Sequence, residues 1–288
     1  MKRLAGHNPP VKPFLKWAGG KRQLLPRIRE HAPARINDYV YYEPFLGGGA
    51  VLFDLLPGKA VINDSNAQLI LAYRAVRENA EGLIDLLSEH KNRNTREYYY
   101  ELRNLDRDAV KFNGLTETEK AARLIFLNKT CYNGLYRVNS CGLFNVPYGR
   151  HKNPSIYDEA VLRRISGYLN SNDITIMNAD YEKAVSGAGG DSFVYFDPPY
   201  HSPGKANFTE YHAGGFGEGE QERLRDVYIR LTGRGVKCLL SNSDTEFIRK
   251  LYDYPFLDII PVRAKRIINS DSAGRGSAGE LLIKNWKG

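Results

Sequence analysis

The amino-acid sequence predicts an α/β protein with a doubly wound parallel sheet, interrupted by a mainly helical insert that carries a β-hairpin. Three observations predict this. Through the first third, short apolar runs alternate with glycine-rich turns and amphipathic stretches, the β–turn–α–β order of a parallel sheet. The pattern returns in the last third at Ile174–Met177, Phe193–Phe196 and Val236–Leu240. Between them the chain changes character and becomes rich in tyrosine and arginine over residues 91–113.

Taken in order, Asp38–Glu43 reads as a strand, EPFLGGG as a turn, Ala50–Leu56 as a helix, and Ala60–Ile62 as a second strand ending at Asn63-Asp64. Residues 66–90 read as one helical stretch, with apolar positions at Leu69, Ile70, Tyr73, Val76, Leu83, Leu86 and Leu87. Thr116-x-x-Glu119 is a capping-box pattern ahead of an apolar run that ends at Leu127, so a helix starts there. Leu135–Val138 and Leu143–Val146 alternate and are joined by Asn139-Ser-Cys-Gly142, a hairpin signature. The insert is expected at 77–160, leaving 1–76 and 161–288 to the core.

The chain has 288 residues, 42% apolar and 26% charged, an ordinary globular composition. No apolar run approaches the ~18 residues of a membrane span, and MKRLAGHNPPVKPF lacks the apolar core of a secretory leader. The net charge is +8. It points to an acidic partner, nucleic acid foremost, or else to a generally basic surface. Cys131, Cys141 and Cys238 show no metal-ligand spacing, so no metal is expected and a reducing cytoplasm fits. Cys131 and Cys141 read as small buried or half-buried thiols rather than a disulfide.

Two segments point to a ligand. In the turn Glu43–Ala50, Gly47 and Gly49 permit a close backbone approach, although Leu52 stands where a dinucleotide fingerprint has its third glycine. Asp64, at the end of the next strand, is placed to accept hydrogen bonds from ribose hydroxyls. The pair favours a nucleoside-type cofactor over a solvated turn. FLKWAGGK at 14–21 does not meet the phosphate-loop pattern, because Arg22 follows Lys21.

The sharpest feature is Asp197-Pro198-Pro199-Tyr200 at the end of an apolar strand. The prolines fix the backbone. Asp197 and a neighbouring carbonyl can accept both hydrogens of a flat amine, and Tyr200 offers a face for stacking. An exocyclic amine on a base is a poor nucleophile because its lone pair is delocalised. Two acceptors draw it towards a pyramidal form, and the base must leave a duplex to reach them.

These pieces together resemble the DNA adenine methylase family, the alpha group of amino-methyltransferases. The matching stretches are FLKWAGGK at 14–21, EPFLGGG at 43–49, IND at 62–64, YNGLYRVN at 132–139, FNVPYGR at 144–150 and FDPPY at 196–200, in the family's order. The similarity is greatest to GATC-methylating members, including those of restriction–modification systems. It implies a Rossmann-like S-adenosylmethionine-dependent core, 1–76 with 161–288, and a DNA-recognition domain, 77–160. Trp17, Lys21, Glu43, Phe45, Gly47, Gly49, Asp64 and Asp197 fall on cofactor positions, and Asp197 through Tyr200 on the catalytic motif. Lys16, Tyr132, Asn133, Leu135, Arg137 and Pro147 fall on positions that touch DNA, with Arg137 matching a guanine reader and Tyr132 an aromatic wedge.

The implied activity is direct methyl transfer to adenine in double-stranded DNA after base flipping, by a monomer. Rival readings are the same chemistry on another DNA sequence, on RNA or on a protein glutamine, and a catalytically silent DNA-binding regulator. Residues 201–219, rich in glycine, are expected to form a loop that orders over the target base.

Overall fold

The computed structural model describes residues 11–21, 23–202, 215–262 and 279–287. Helix α1 (Leu25–His31) leads through a 3₁₀ turn at Ile36–Asp38 into β1 (Val40–Glu43). The strand starts at Val40 rather than Asp38 because that turn holds the Tyr39 N–H on the Ile36 carbonyl. Helix α2 (Ala50–Leu55) and β2 (Lys59–Asn63) follow as expected.

The single helix expected over 66–90 is two, α3 (Ala67–Glu78) and α4 (Ala80–Asn92). Asn79 parts them. Its backbone leaves helical geometry at φ −146°, and its side chain accepts the Gly82 N–H to cap the second helix. Helices α5 (Arg96–Asn104), α6 (Ala109–Gly114) and α7 (Glu117–Thr130) come next. Thr116 and Glu119 make both bonds of the capping box. The chain continues through α8 (Glu159–Ser171), β3 (Asp173–Met177), α9 (Tyr181–Ala184) and β4 (Ser192–Phe196). It closes with α10 (Glu218–Gly233), β5 (Lys237–Ser243), α11 (Glu246–Leu251), β6 (Asp258–Val262) and β7 (Glu280–Lys284).

The sheet runs β3-β2-β1-β4-β5-β7-β6. Strands β1 to β5 pair in parallel, and β7 is antiparallel to both its neighbours. From β1 the order grows one way to β2 and β3 and the other way to β4 and β5, so the topological switch lies between β1 and β4. Ligands of open α/β sheets bind outside the carboxyl ends of the strands at such a point. Alternation along the strands sends Tyr41, Phe193, Tyr195 and Leu239 to one face and Tyr42, Val194, Phe196 and Leu240 to the other. Helices α1, α2, α3, α4, α5, α7 and α8 contribute to the core on the first side, and α9, α10 and α11 to that on the second. β4 is buried along its whole length, as a central parallel strand must be.

The expected hairpin forms as a loop with isolated antiparallel bridges, Val138 to Phe144 and Cys131 to Tyr148. Backbone bonds flank the first bridge, from the Asn139 N–H to the Leu143 carbonyl at 2.9 Å and from the Asn145 N–H to the Arg137 carbonyl at 3.0 Å, while the outward-facing backbone groups of the second arm are bound by the rest of the insert. The Phe144 N–H donates to Asp106 Oδ2 at 2.9 Å, and Arg107 donates to the Phe144 carbonyl at 2.9 Å. The Tyr99 hydroxyl donates to the Val146 carbonyl at 2.8 Å. Asp106 is in turn paired with the buried Arg123 at 2.9 Å. Cys131 and Cys238 are buried, whereas Cys141, at the loop tip, is exposed, and all three are free. Among the described residues no helix is long and apolar enough to cross a membrane. Of the glycine-rich loop expected over 201–219, residues 203–214 lie outside the described residues.

Candidate active site

A cavity of about 1140 Å³ opens at the carboxyl ends of β1 and β4. It brings together Lys16, Trp17, Lys21, Glu43, Phe45, Gly47, Asp64 and the whole of Asp197–Tyr200. Of the residues singled out from the sequence as cofactor or catalytic positions, Gly49 alone is not on its wall. Gly49 sits behind the turn, at φ +69°, where an added Cβ would stand 2.6 Å from the Tyr73 hydroxyl oxygen. That hydroxyl donates to the Gly47 carbonyl at 3.1 Å, so the glycine lets a core tyrosine hold the turn.

The turn and Asp64 are built as one unit. Asp64 Oδ2 accepts the Gly47 N–H at 3.0 Å and Oδ1 accepts the Asn66 N–H at 2.9 Å. Asn63 ties the neighbouring strand ends, donating to the Pro44 and Ala179 carbonyls at 3.0 Å each. Trp17 lies over Gly47, with Cδ1 3.1 Å from where a Cβ would be, and stacks on Tyr136 with ring centroids 5.1 Å apart. Phe45 packs on Tyr181 and Phe216.

At the other end, the Lys21 ammonium meets Asp197 Oδ1 at 2.8 Å, donates to the Gly19 carbonyl at 2.7 Å and lies 4.4 Å from the centre of the Tyr200 ring. The Ser241 hydroxyl donates to the same Oδ1 at 3.0 Å. Burial pushes the Asp197 carboxyl up, while Lys21 and Ser241 pull it down and Glu280 pushes it up. The Tyr200 hydroxyl donates to Glu280 at 3.0 Å. The Gln221 side-chain amide donates to the Pro199 carbonyl at 2.9 Å. Glu43 is buried and accepts the Tyr41 hydroxyl at 2.8 Å. Burial drives its carboxyl up to about 8 in spite of that bond.

Tyr132, Asn133, Leu135, Arg137 and Pro147 lie off the cavity wall, on the bridged loop. Asn128, buried in α7, joins the two regions. Its side chain accepts the Lys16 N–H at 2.9 Å and donates to the Lys16 and Gly134 carbonyls at 2.8 and 3.1 Å. Tyr132 and Leu135 stand out to solvent at 54% and 39% exposure, unusual for large apolar side chains held in so fixed a turn. Asn133 takes φ +55°, a region asparagine tolerates. The Tyr132 N–H donates to the Pro147 carbonyl at 2.9 Å. Arg137 Nε donates to Asn145 Oδ1 at 2.7 Å.

Ser241, Glu280, Asn66, Asn128 and Tyr136 were not singled out from the sequence. A signal existed for Ser241, which follows the apolar run 236–240 and so lies on the strand beside Asp197. Tyr136 alternates with Arg137 and is thereby turned inward. Among the described residues no group of three or more His, Cys, Asp or Glu is gathered to hold a metal ion.

A profile of the D12 class N6 adenine-specific DNA methyltransferases matches residues 17–268. The Type II methyltransferase M1.LlaDCHI of Lactococcus lactis subsp. cremoris is 46% identical over 278 residues, covering 96% of each chain. The Type II methyltransferase M.MjaIII of Methanocaldococcus jannaschii is 44% identical over 293 residues, covering 96% of this chain and 99% of its own. A DNA adenine methylase of Serratia marcescens is 35% identical over 276 residues, covering 93% of this chain and 96% of its own.

Proposed function

Since the chain belongs to the D12 class N6 adenine-specific DNA methyltransferases, we propose that it methylates adenine within GATC in double-stranded DNA, using S-adenosylmethionine and a flipped-out base. Adenine-specific DNA methylation is the activity of the family; the sequence, the cofactor and the flipping are the proposal. The observation that carries it is the presence of Asp197, the two prolines and Tyr200 on the wall of the cavity that also holds the Gly47 turn and Asp64.

What supports the cofactor is the chemistry of the donor set. Asp64, fixed by two backbone N–H groups, suits ribose hydroxyls. Trp17, Phe45 and the bare backbone of Gly47 suit an aromatic base and its close approach. Glu43 and Lys21 line the same wall, and Gly49 serves from behind. When bound, S-adenosylmethionine supplies an electrophilic methyl group on a sulfonium.

The residues of this chain then act on the base. Asp197 accepts one amine hydrogen. Gln221 holds the Pro199 carbonyl, so the Pro198 carbonyl is given the second. The two bonds draw the nitrogen lone pair out of conjugation. The Tyr200 ring stacks on the adenine while its hydroxyl stays on Glu280. Positioning and a fixed electrostatic environment supply the acceleration.

Residues 77–160 are assigned to recognition, against a catalytic part formed by 1–76 and 161–288. The loop that carries Tyr132 and Arg137 lies beside Lys16, the one proposed DNA contact on the cavity wall. Arg137 is given the guanine edge, where an arginine fork meets two acceptors, and Asn145 orients it. Tyr132 and Leu135, exposed on a braced turn, are given the base stack, and Asn133 a phosphate. Pro147, whose carbonyl pins Tyr132, is given an apolar base contact. GATC rests on the match of YNGLYRVN and FNVPYGR to GATC-methylating members. Identities of 46% and 44% to Type II methyltransferases support a place in a restriction–modification pair.

Asp197→Ala tests the assignment. It is expected to abolish methyl transfer to DNA while duplex affinity at fixed salt stays within a few-fold. Retained transfer would refute it.

A further inference from the structure

A catalytic carboxyl draws an amine hydrogen most strongly when it is ionised, and Asp197 is partly withdrawn from water, its side chain 18% exposed. The groups that face it come from five directions. Lys21 reaches it from the segment before α1. Glu43 acts on it from β1, Tyr195 and Tyr200 from β4 and the turn after it, and Glu280 from β7. Ser241 closes the shell from β5. Of these, Glu280 opposes ionisation, while Lys21 and Ser241 favour it, and Glu43, which burial keeps protonated up to about 8, stays neutral over the acidic range.

The hydroxyl of Ser241 has one proton, and four oxygens stand near it, the Tyr200 phenol oxygen among them. Asp197 Oδ1 and the Tyr195 phenol oxygen are each at 3.0 Å, and the Phe196 carbonyl is at 3.4 Å. An ionised carboxylate is the strongest of these acceptors and cannot donate. The proton therefore goes to Asp197, and Tyr195, whose hydroxyl must find an acceptor in the core, donates to Ser241. Tyr195 and Ser241 are both fully buried, so water does not compete for either bond. The result is a donor chain of fixed polarity, Tyr195 to Ser241 to Asp197, that ends on the oxygen Lys21 also binds.

We propose that Ser241 is a positioning residue for methyl transfer, holding Asp197 ionised and fixing its orientation, with Tyr195 as the donor behind it. The inference rests on the reading of Asp197 as the amine acceptor. Oδ1 carries the lysine and the serine, so Oδ2 is the oxygen assigned to the adenine amine. Because Ser241 acts only on the charged form of Asp197, its loss changes the pH at which that form appears.

The test is the single-turnover rate of labelled methyl transfer from saturating S-adenosylmethionine to a duplex the wild type methylates, followed across the acidic and neutral range. Ser241→Ala is expected to move the acidic limb up by about one pH unit, a roughly tenfold loss on the acidic side that recovers as the pH rises. Tyr195→Phe is expected to move it in the same direction by less, and it carries the test alone should Ser241→Ala fail to fold. A limb that stays at the wild-type pH, with the rate unchanged or lowered evenly across the range, would overturn the proposal. Asp197→Ala separates the two levels. Transfer retained in that variant overturns the reading of Asp197 itself; its loss, together with an unmoved limb in the serine and tyrosine variants, overturns only the donor chain.

Discussion

Lys21 and Asp197, far apart in sequence, meet at 2.8 Å with the lysine 7% exposed. The lysine also faces the Tyr200 ring and is anchored on the Gly19 carbonyl. A single ammonium thus compensates a carboxylate that burial would otherwise neutralise, and sits against the Tyr200 ring beside it. Lys21→Met keeps the length of the side chain and removes the charge. Single-turnover methyl transfer at neutral pH is expected to fall by roughly 100-fold or more, the scale of losing one electrostatic contact in an enclosed site. Rates within a few-fold of wild type would show that Asp197 does not depend on the pair.

Glu43 makes folding stability depend on pH. An ordinary carboxyl ionises near 4.5, whereas this one is pushed up to about 8 by burial, opposed by the Tyr41 hydroxyl. The folded protein therefore keeps a proton that the unfolded chain releases. Its contribution is fully present below pH 4.5 and is lost as the pH rises through about 8. The unfolding free energy of the wild type, from urea titrations, is expected to fall across this window by more than that of Glu43→Gln, on the order of 1–3 kcal/mol. Parallel pH curves for the two proteins would contradict the assignment.

The glycine turn is expected to be intolerant at Gly49. Alanine there would hold a left-handed backbone, costing about 1–2 kcal/mol, and would press its Cβ on the Tyr73 hydroxyl that braces Gly47. Gly49→Ala is expected to melt several degrees lower, at ~2–4 °C for each kcal/mol in a chain of this size, and to bind S-adenosylmethionine more weakly. A melting temperature and cofactor affinity equal to the wild type's would argue against the brace.

How much of this was legible beforehand depends on how local each feature is. The strand, glycine turn, helix and strand at 38–64 and the DPPY run at 197–200 are contiguous, and their residue types state their own constraints. The pairing of Lys21 with Asp197 and of Ser241 with Tyr195 is not contiguous, and no spacing rule brings those residues together. Strands β6 and β7 were not anticipated, since an antiparallel edge leaves no crossover pattern to read. The break at Asn79 was missed because apolar periodicity runs on through it, and only a cap bond to Gly82 marks it. Two alternating runs announced the hairpin, whereas the side chains of Asp106, Arg107 and Tyr99 that hold its outer edge come from a distant part of the chain, which a local reading could not foresee.

Arg137 bears the sequence reading proposed for the loop. Arg137→Ala is expected to lower discrimination at one guanine of the site by ~1–3 kcal/mol, about 5- to 150-fold in kcat/KM ratio, with smaller changes at the other positions. Discrimination lost evenly at all four bases, or at none, would place guanine recognition on another residue.

The most direct test of the whole account is transfer of labelled methyl from S-adenosylmethionine to short duplexes at fixed salt, one holding a single GATC and others altered one base at a time. The account predicts label on the adenine of the intact site and at least a tenfold loss for each altered base. Equal transfer to the altered duplexes, or label confined to a different sequence, would contradict the target assigned to this enzyme and with it the role given to the Arg137 loop.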